Sequence, residues 1–234
     1  MKNIKKSKGF TLVELLIVIA IIGILAAMIM PNLGSVMGKG SQMKAQNAAR
    51  SIAQAWIQAS KSSAKPRMIV APDIYGWAEK LARFGDMNEP SMWLLDFDEA
   101  VMMKQGEGAP MPLTVIEKRG NVQRLNPEFK AYPVSWEVAN MTPNAPNGTP
   151  LVWTRGLKPN GYWDTTNMPV FKDGGIMAFT DGHVQWYTSL LDENSSEQQR
   201  GILKVFNGTA RTFNISQAVG GSAKILKSKV GTEE

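Results

Sequence analysis

The stretch from Lys8 to Pro31, KGFTLVELLIVIAIIGILAAMIMP, decides how this chain is read. A lysine-rich head and a glycine lead into an apolar run, Phe10 to Met30, whose only charge is Glu14. As a helix rising roughly 1.5 Å per residue, the run is about 31 Å long and matches the roughly 30 Å hydrocarbon core of a bilayer. It is expected to span a membrane. A carboxylate deep in lipid costs roughly 2.5–3.5 kcal/mol and calls for a partner charge. Glu14 is therefore a candidate functional residue.

An ordinary secretory signal has an apolar stretch of roughly 7–15 residues closed by a small-x-small cleavage site. The run here is longer and reaches Pro31 without an A-x-A pattern. A plain signal anchor would account for the length and the lysines, but for neither Glu14 nor the Gly9-Phe10 junction. Lys8-Gly9-Phe10-Thr11-Leu12-Val13-Glu14 resembles the class III signal of type IV pilins and of the pseudopilins of type II secretion systems. The resemblance covers about 25 residues, and it is specific because a glycine, an aromatic and a glutamate keep their spacing around an apolar run. It implies cleavage between Gly9 and Phe10 by a membrane prepilin peptidase, N-methylation of the Phe10 amine, and an assembly role for Glu14. Pro31 becomes the twenty-second residue after that cut (31 − 9 = 22), where helices of this family commonly kink.

The formal charge of +6 includes Lys2, Lys5, Lys6 and Lys8, so the chain without its leader carries +2 (6 − 4) on its side chains. The basic balance is thus no sign of nucleic-acid binding. Lysines ahead of the apolar run stay on the cytoplasmic side, which sends the remainder of the chain out of the cytoplasm. There are no cysteines, so that part is expected to fold without disulfides or thiolate metal sites.

Five segments follow: a leader at 1–9, a transmembrane helix at 10–30, the exported half of a long helix at 31–64, a globular domain at 65–216 and a flexible tail at 217–234. In the third, Ala45, Ala48, Ala49, Ile52, Trp56 and Ala59 recur at helical spacing opposite Lys44, Gln46, Asn47, Arg50, Gln54 and Gln58. Gly34, Gly38 and Gly40 each cost up to about 1 kcal/mol of helix stability relative to alanine, so a softened or partly unwound stretch is expected there. Lys65-Pro66 ends the helix. Asp73 caps a short helix with Ile74, Trp77, Ala78, Leu81 and Phe84 on one face, stopped by Gly85. A turn-helix is read over Asn88 to Met103, with Pro90 near its start and Met92, Leu95, Ala100 and Met103 inward. Strands are read at Leu113–Lys118, Tyr132–Val138 and Leu151–Arg155. Helices first and strands afterwards predict an α+β fold with a mostly antiparallel sheet, and the resemblance makes it pilin-like, the long helix packed on that sheet.

Ile176–Thr180, Asp181-Gly182 and His183–Tyr187 predict a β-hairpin with a two-residue type I′ turn, in which both central residues take positive φ. The stretch also resembles a C-terminal signature of pilin-like proteins: a histidine, nine residues, then Asp-Gly. Here Phe171 stands where that histidine would be. His183 is the only histidine, and with no second imidazole or thiol to join it and no nucleophile elbow, a structural role is expected and no catalysis. Asp164, Asp173 and Asp181 sit among Asn and Gly in loop-like sequence, and the major pseudopilins bind calcium in such loops. The spacing follows no fixed loop pattern, so no cofactor is expected and no ligand is assigned, with calcium left open. Trp153, Tyr162, Trp163, Trp186 and Tyr187 are read as core rather than as a sugar-stacking platform.

The resulting expectation is a pilin-like structural subunit of a type II secretion-type or type IV pilus-type fibre for protein export. It would sit in the inner membrane as a single-pass protein with a periplasmic domain. Its partners would be the prepilin peptidase and methyltransferase, other pilin-like subunits, an assembly platform and the membrane. The alternative is a membrane-tethered extracytoplasmic binding domain, for example for polysaccharide, that uses the signal only for processing.

Overall fold

The computed structural model describes residues 10–62, 67–192, 201–228 and 230, the side chains of 26–37 and 62 excepted. It divides into two units, residues 1–42 and 43–234. In the first, helix α1 (Leu12–Ile57) begins just after Thr11, and its apolar side chains from Leu12 to Leu25 stand exposed. The helix passes through Pro31, Gly34, Gly38 and Gly40 without interruption, so the expected softening is not seen. A glycine still supplies its N–H and C=O to the hydrogen-bond ladder, and its cost of up to about 1 kcal/mol is small beside the many turns on either side.

The second unit opens on the end of α1. All six expected stripe residues are buried, and Ala53 and Ala55 join them, so the buried face is wider than expected. A π-helical turn, Gln58–Ser62, closes the helix. There the Lys61 ammonium reaches the carbonyl of Ala145 and Oδ1 of Asn147, both at 3.4 Å, and the carbonyl of Thr180 at 3.5 Å. The expected stop at Lys65-Pro66 lies outside the described residues.

Helix α2 (Ile74–Phe84) forms as its sequence dictates: Asp73 caps it by accepting from the Gly76 N–H at 2.8 Å, and Ile74, Trp77, Ala78 and Leu81 are buried. Phe84 is an exception, since it lies at the exposed end of the helix beneath the Arg67 guanidinium, 4.7 Å from the ring centre. Gly85 ends the helix without a left-handed φ; a Cβ there would lie 2.9 Å from the Ala55 carbonyl, so close approach to α1 is what requires glycine. The turn-helix expected over 88–103 forms as a 3₁₀ turn, Pro90–Met92, and helix α3 (Glu99–Gly106), which is capped by Asp98 and runs past Met103. Trp93, Leu94 and Leu95 run inward between them, while Met103 is exposed.

Strands β1 (Ile116–Arg119) and β2 (Val122–Leu125) form a small antiparallel ribbon ahead of a short helix α4 (Pro127–Lys130). The strand expected from Leu113 starts at Ile116, where pairing with β2 begins, and Leu113 lies exposed ahead of it. The main sheet contains β3 (Trp136–Asn140), β4 (Pro150–Thr154), β5 (Gly175–Phe179) and β6 (Val184–Tyr187). Strands β7 (Leu203–Lys204) and β8 (Arg211–Thr212) pair separately, and helix α5 (Ile215–Val219) leads to β9 (Lys224–Leu226). The five-stranded order is β6-β5-β4-β3-β9, antiparallel throughout. The fold is α+β, an N-terminal helix followed by a domain with an antiparallel sheet. The segment expected to fray thus contributes an edge strand, with Leu226 and Ser228 buried. Its three paired residues, opposite Val138, Ala139 and Asn140, are held by a strand far away in sequence.

Trp56, Trp77, Trp93, Trp136 and Trp153 are fully buried and fill the core. Trp77 and Trp93 meet edge to face, centroids 5.9 Å apart, a geometry worth about 0.5–1.5 kcal/mol beyond area burial.

Candidate functional site

The N-terminal edge of α1 is built from three residues. Thr11 precedes the first helical residue, and its backbone N–H and its hydroxyl both donate to Oε2 of Glu14 at 2.8 Å. The Glu14 N–H donates back to the Thr11 hydroxyl oxygen at 3.3 Å. This reciprocal pair is a capping box: it satisfies two backbone donors that the first turn of a helix would leave without partners. A carboxylate in that turn also opposes the positive end of the helix dipole. Phe10 lies outside the helix with 83 % of its surface exposed. Thr11-Leu12-Val13-Glu14 ahead of an apolar run carries the capping signature in the sequence, where Glu14 stands out by its charge. Gly9 lies outside the described residues.

Residues 4–30 match the prokaryotic N-terminal methylation motif. It is the prepilin-type signal of type IV pilins and pseudopilins and marks a pilin-like precursor anchored to a membrane through its N-terminal helix. No curated protein and no solved structure matches the chain. The prepilin-type signal implies processing by a prepilin peptidase and assembly with other pilins, the work of a structural subunit. Among the described residues no helix is long and apolar enough to cross a membrane. Within the signal's apolar run, side chains are described for residues 10–25, of which 12–25 make about 21 Å of helix, short of a roughly 30 Å core.

In the domain, the Asp181-Gly182 hairpin forms with a different turn. Gly182 has φ +86°, Asp181 does not have a positive φ, and the Gly182 N–H donates to the Phe179 carbonyl at 2.9 Å. The Phe179 N–H also bonds the His183 carbonyl, at 3.0 Å. The loop is therefore the three residues Thr180-Asp181-Gly182, a turn followed by a left-handed glycine, instead of a two-residue type I′ turn. His183 stacks on the Phe179 ring, centroids 3.9 Å apart, with Nδ1 2.6 Å from Oδ1 of Asp181. Burial pushes the Asp181 carboxyl up, and the hydrogen bonds from the His183 ring and backbone outweigh it and hold the group below its usual range. Phe171 packs between Phe97 and Trp186, at 5.4 and 5.0 Å, so an aromatic contact fills the place of the signature histidine.

Asp164 spends its oxygens on the Thr166 N–H and hydroxyl and the Asn167 side-chain amide, and backbone and side-chain donors hold its carboxyl well below the usual carboxylate range. Among the described residues no three His, Asp or Glu gather as a metal site, and Asp164, Asp173 and Asp181 do not converge. Of the aromatics read as core, Trp153 and Trp163 are buried, Trp186 and Tyr187 half-buried, and Tyr162 exposed.

Three buried charged residues are absent from the sequence reading. Asp98 and Arg155 pair at 2.7 Å, both buried; Arg155 also donates to the carbonyls of Val134 and Met168. Glu137, buried on β3, accepts from the Trp153 indole at 2.9 Å and the Gly156 N–H at 3.2 Å. Burial pushes its carboxyl up against the opposing pull of those two bonds. A lone glutamate within the apolar stretch of β3 was the available signal for Glu137; nothing local marks Asp98 and Arg155 as partners.

Proposed function

We propose that the chain is a pseudopilin-type subunit, cut between Gly9 and Phe10, methylated on the Phe10 amine, and assembled into a type II secretion-type or type IV pilus-type fibre for protein export. The observation that carries this reading is the prepilin-type signal over residues 4–30. The apolar run continues to Met30, so the helix holds the subunit in the inner membrane until assembly, with the domain on the periplasmic side. Glu14 then faces the amine of a neighbouring Phe10, and the match of two charges in a low-dielectric bundle sets the register of one helix against the next. The capping box supports this role, because it engages Oε2 and fixes the carboxylate at the start of the helix.

Intact mass spectrometry of the membrane-extracted protein tests the processing. A chain that begins at Phe10 and carries one added methyl is expected. Retention of Met1, or cleavage near Ala27, would overturn the reading.

A further inference from the structure

We propose that a polar cleft between the end of β4 and the segment after β9 binds a neutral, polyhydroxylated ligand the size of one sugar unit. The cleft has a volume of about 220 Å³. Its polar lining comes from Glu137, Arg155, Lys158, Asp164, Asn167 and Lys227. Glu137 and Arg155 are buried, Asp164 nearly so, and Lys158 and Asn167 reach the surface.

Charge decides the class of ligand. Arg155 is matched by Asp98 at 2.7 Å and Lys158 by Asp164 at 3.3 Å. Lys227 follows the register pair Val138–Leu226, which sets it across from Glu137 on the neighbouring strand, and its charge acts on that carboxylate. Three cations thus meet three carboxylates, and no net charge is left to select an anion or a cation. What remains is hydrogen-bonding capacity of both signs. An ammonium has three donors, of which Asp164 takes one from Lys158. A carboxylate has about four lone-pair sites, and Glu137 uses two of them. The Asn167 amide is oriented by its donation to Asp164 Oδ2 at 2.9 Å, and its own oxygen accepts no bond among the described residues. Donors and acceptors share the lining of a small volume, a mixture that hydroxyl groups, each donor and acceptor at once, satisfy. Leu157, Pro159 and Val230 complete the wall and offer aliphatic surface to the C–H groups of a sugar ring.

The site is independent of fibre assembly, and its failure would leave that reading untouched. The test uses the processed full-length chain in detergent micelles with nitrogen-15-labelled tryptophan. The Trp153 indole N–H, hydrogen-bonded to Glu137, reports on the cleft floor. Titration with D-glucose, D-galactose and N-acetyl-D-glucosamine is expected to shift its resonance saturably for at least one sugar. Asn167→Ala and Lys158→Ala, both at exposed positions, should each weaken that binding by about tenfold while the domain still unfolds in one cooperative step. The proposal is overturned if no sugar gives a saturable shift, or if the shift persists unchanged in both variants. Inorganic phosphate or methylammonium shifting the resonance as strongly as any sugar would overturn the neutral ligand class.

Discussion

At the scale of single residues, buried charge is where this domain is most sensitive. Asp98 is wholly buried and its Oδ2 has no partner, so Arg155 is its one matching charge among the described residues. Arg155→Met should cost about 3–5 kcal/mol, because it leaves a carboxylate in the core without its cation, and urea unfolding should show the loss. The Asp98→Asn and Arg155→Met double variant should recover part of it. Glu137 behaves differently. Its carboxyl is raised in the fold by burial, so the folded chain binds that proton more tightly than the unfolded chain does. The stability it contributes is present in full below the ordinary glutamate range and is lost as pH rises through the raised value. Glu137→Gln should therefore flatten the fall in melting temperature between acid and neutral pH, while its amide can replace only one of the two oxygens that Trp153 and Gly156 now use. An unchanged slope would mean that Glu137 is already ionised throughout that range.

At the scale of elements, the hairpin shows what local sequence can and cannot convey. Asp-Gly between two apolar runs located β5, β6 and the glycine with positive φ, but the turn type depends on where the strands stop pairing. Here the Phe179–His183 pair closes the loop one residue wider than expected. The stability consequence is the same: Gly182→Val should lose about 1–3 kcal/mol, because a β-branched residue is strained at φ +86°. His183→Ala should be milder, removing a stacking contact and an exposed hydrogen bond. Thermal unfolding of the two variants side by side checks that order. Helix α2 was legible because Asp73 and the apolar spacing act locally, whereas the glycine at its end answers to the close approach of α1. Strand β9 was not, since Lys224–Leu226 is too short to show a period and is held by pairing with β3. The late start of α3 was equally hidden, because the Asp98 that caps it is held in the core by Arg155, far away in sequence.

At the scale of the whole molecule, the chain joins a signal read from some two dozen residues to a domain whose core is its own. The signal was legible because membrane insertion and peptidase recognition act on contiguous sequence, whereas the polar cleft was not, since its lining is gathered from three distant stretches. Assembly tests the signal as a physical device rather than a motif. Glu14→Ala removes the only charge in the apolar run and so makes the helix a better anchor, which should leave cleavage and membrane insertion intact. It also removes the acceptor of the capping box, a loss of about 1 kcal/mol at the helix start that leaves a forty-six-residue helix formed. Any large defect must then come from contacts between subunits. Membrane fractionation should return normal amounts of processed protein, while filaments from overexpressing cells and crosslinks between neighbouring subunits should fall sharply. Thr11→Val separates the two roles, since it removes the hydroxyl half of the cap and keeps the carboxylate, and it should assemble. If Glu14→Ala assembles as the parent does, Glu14 serves only to cap its own helix, and register must be set elsewhere.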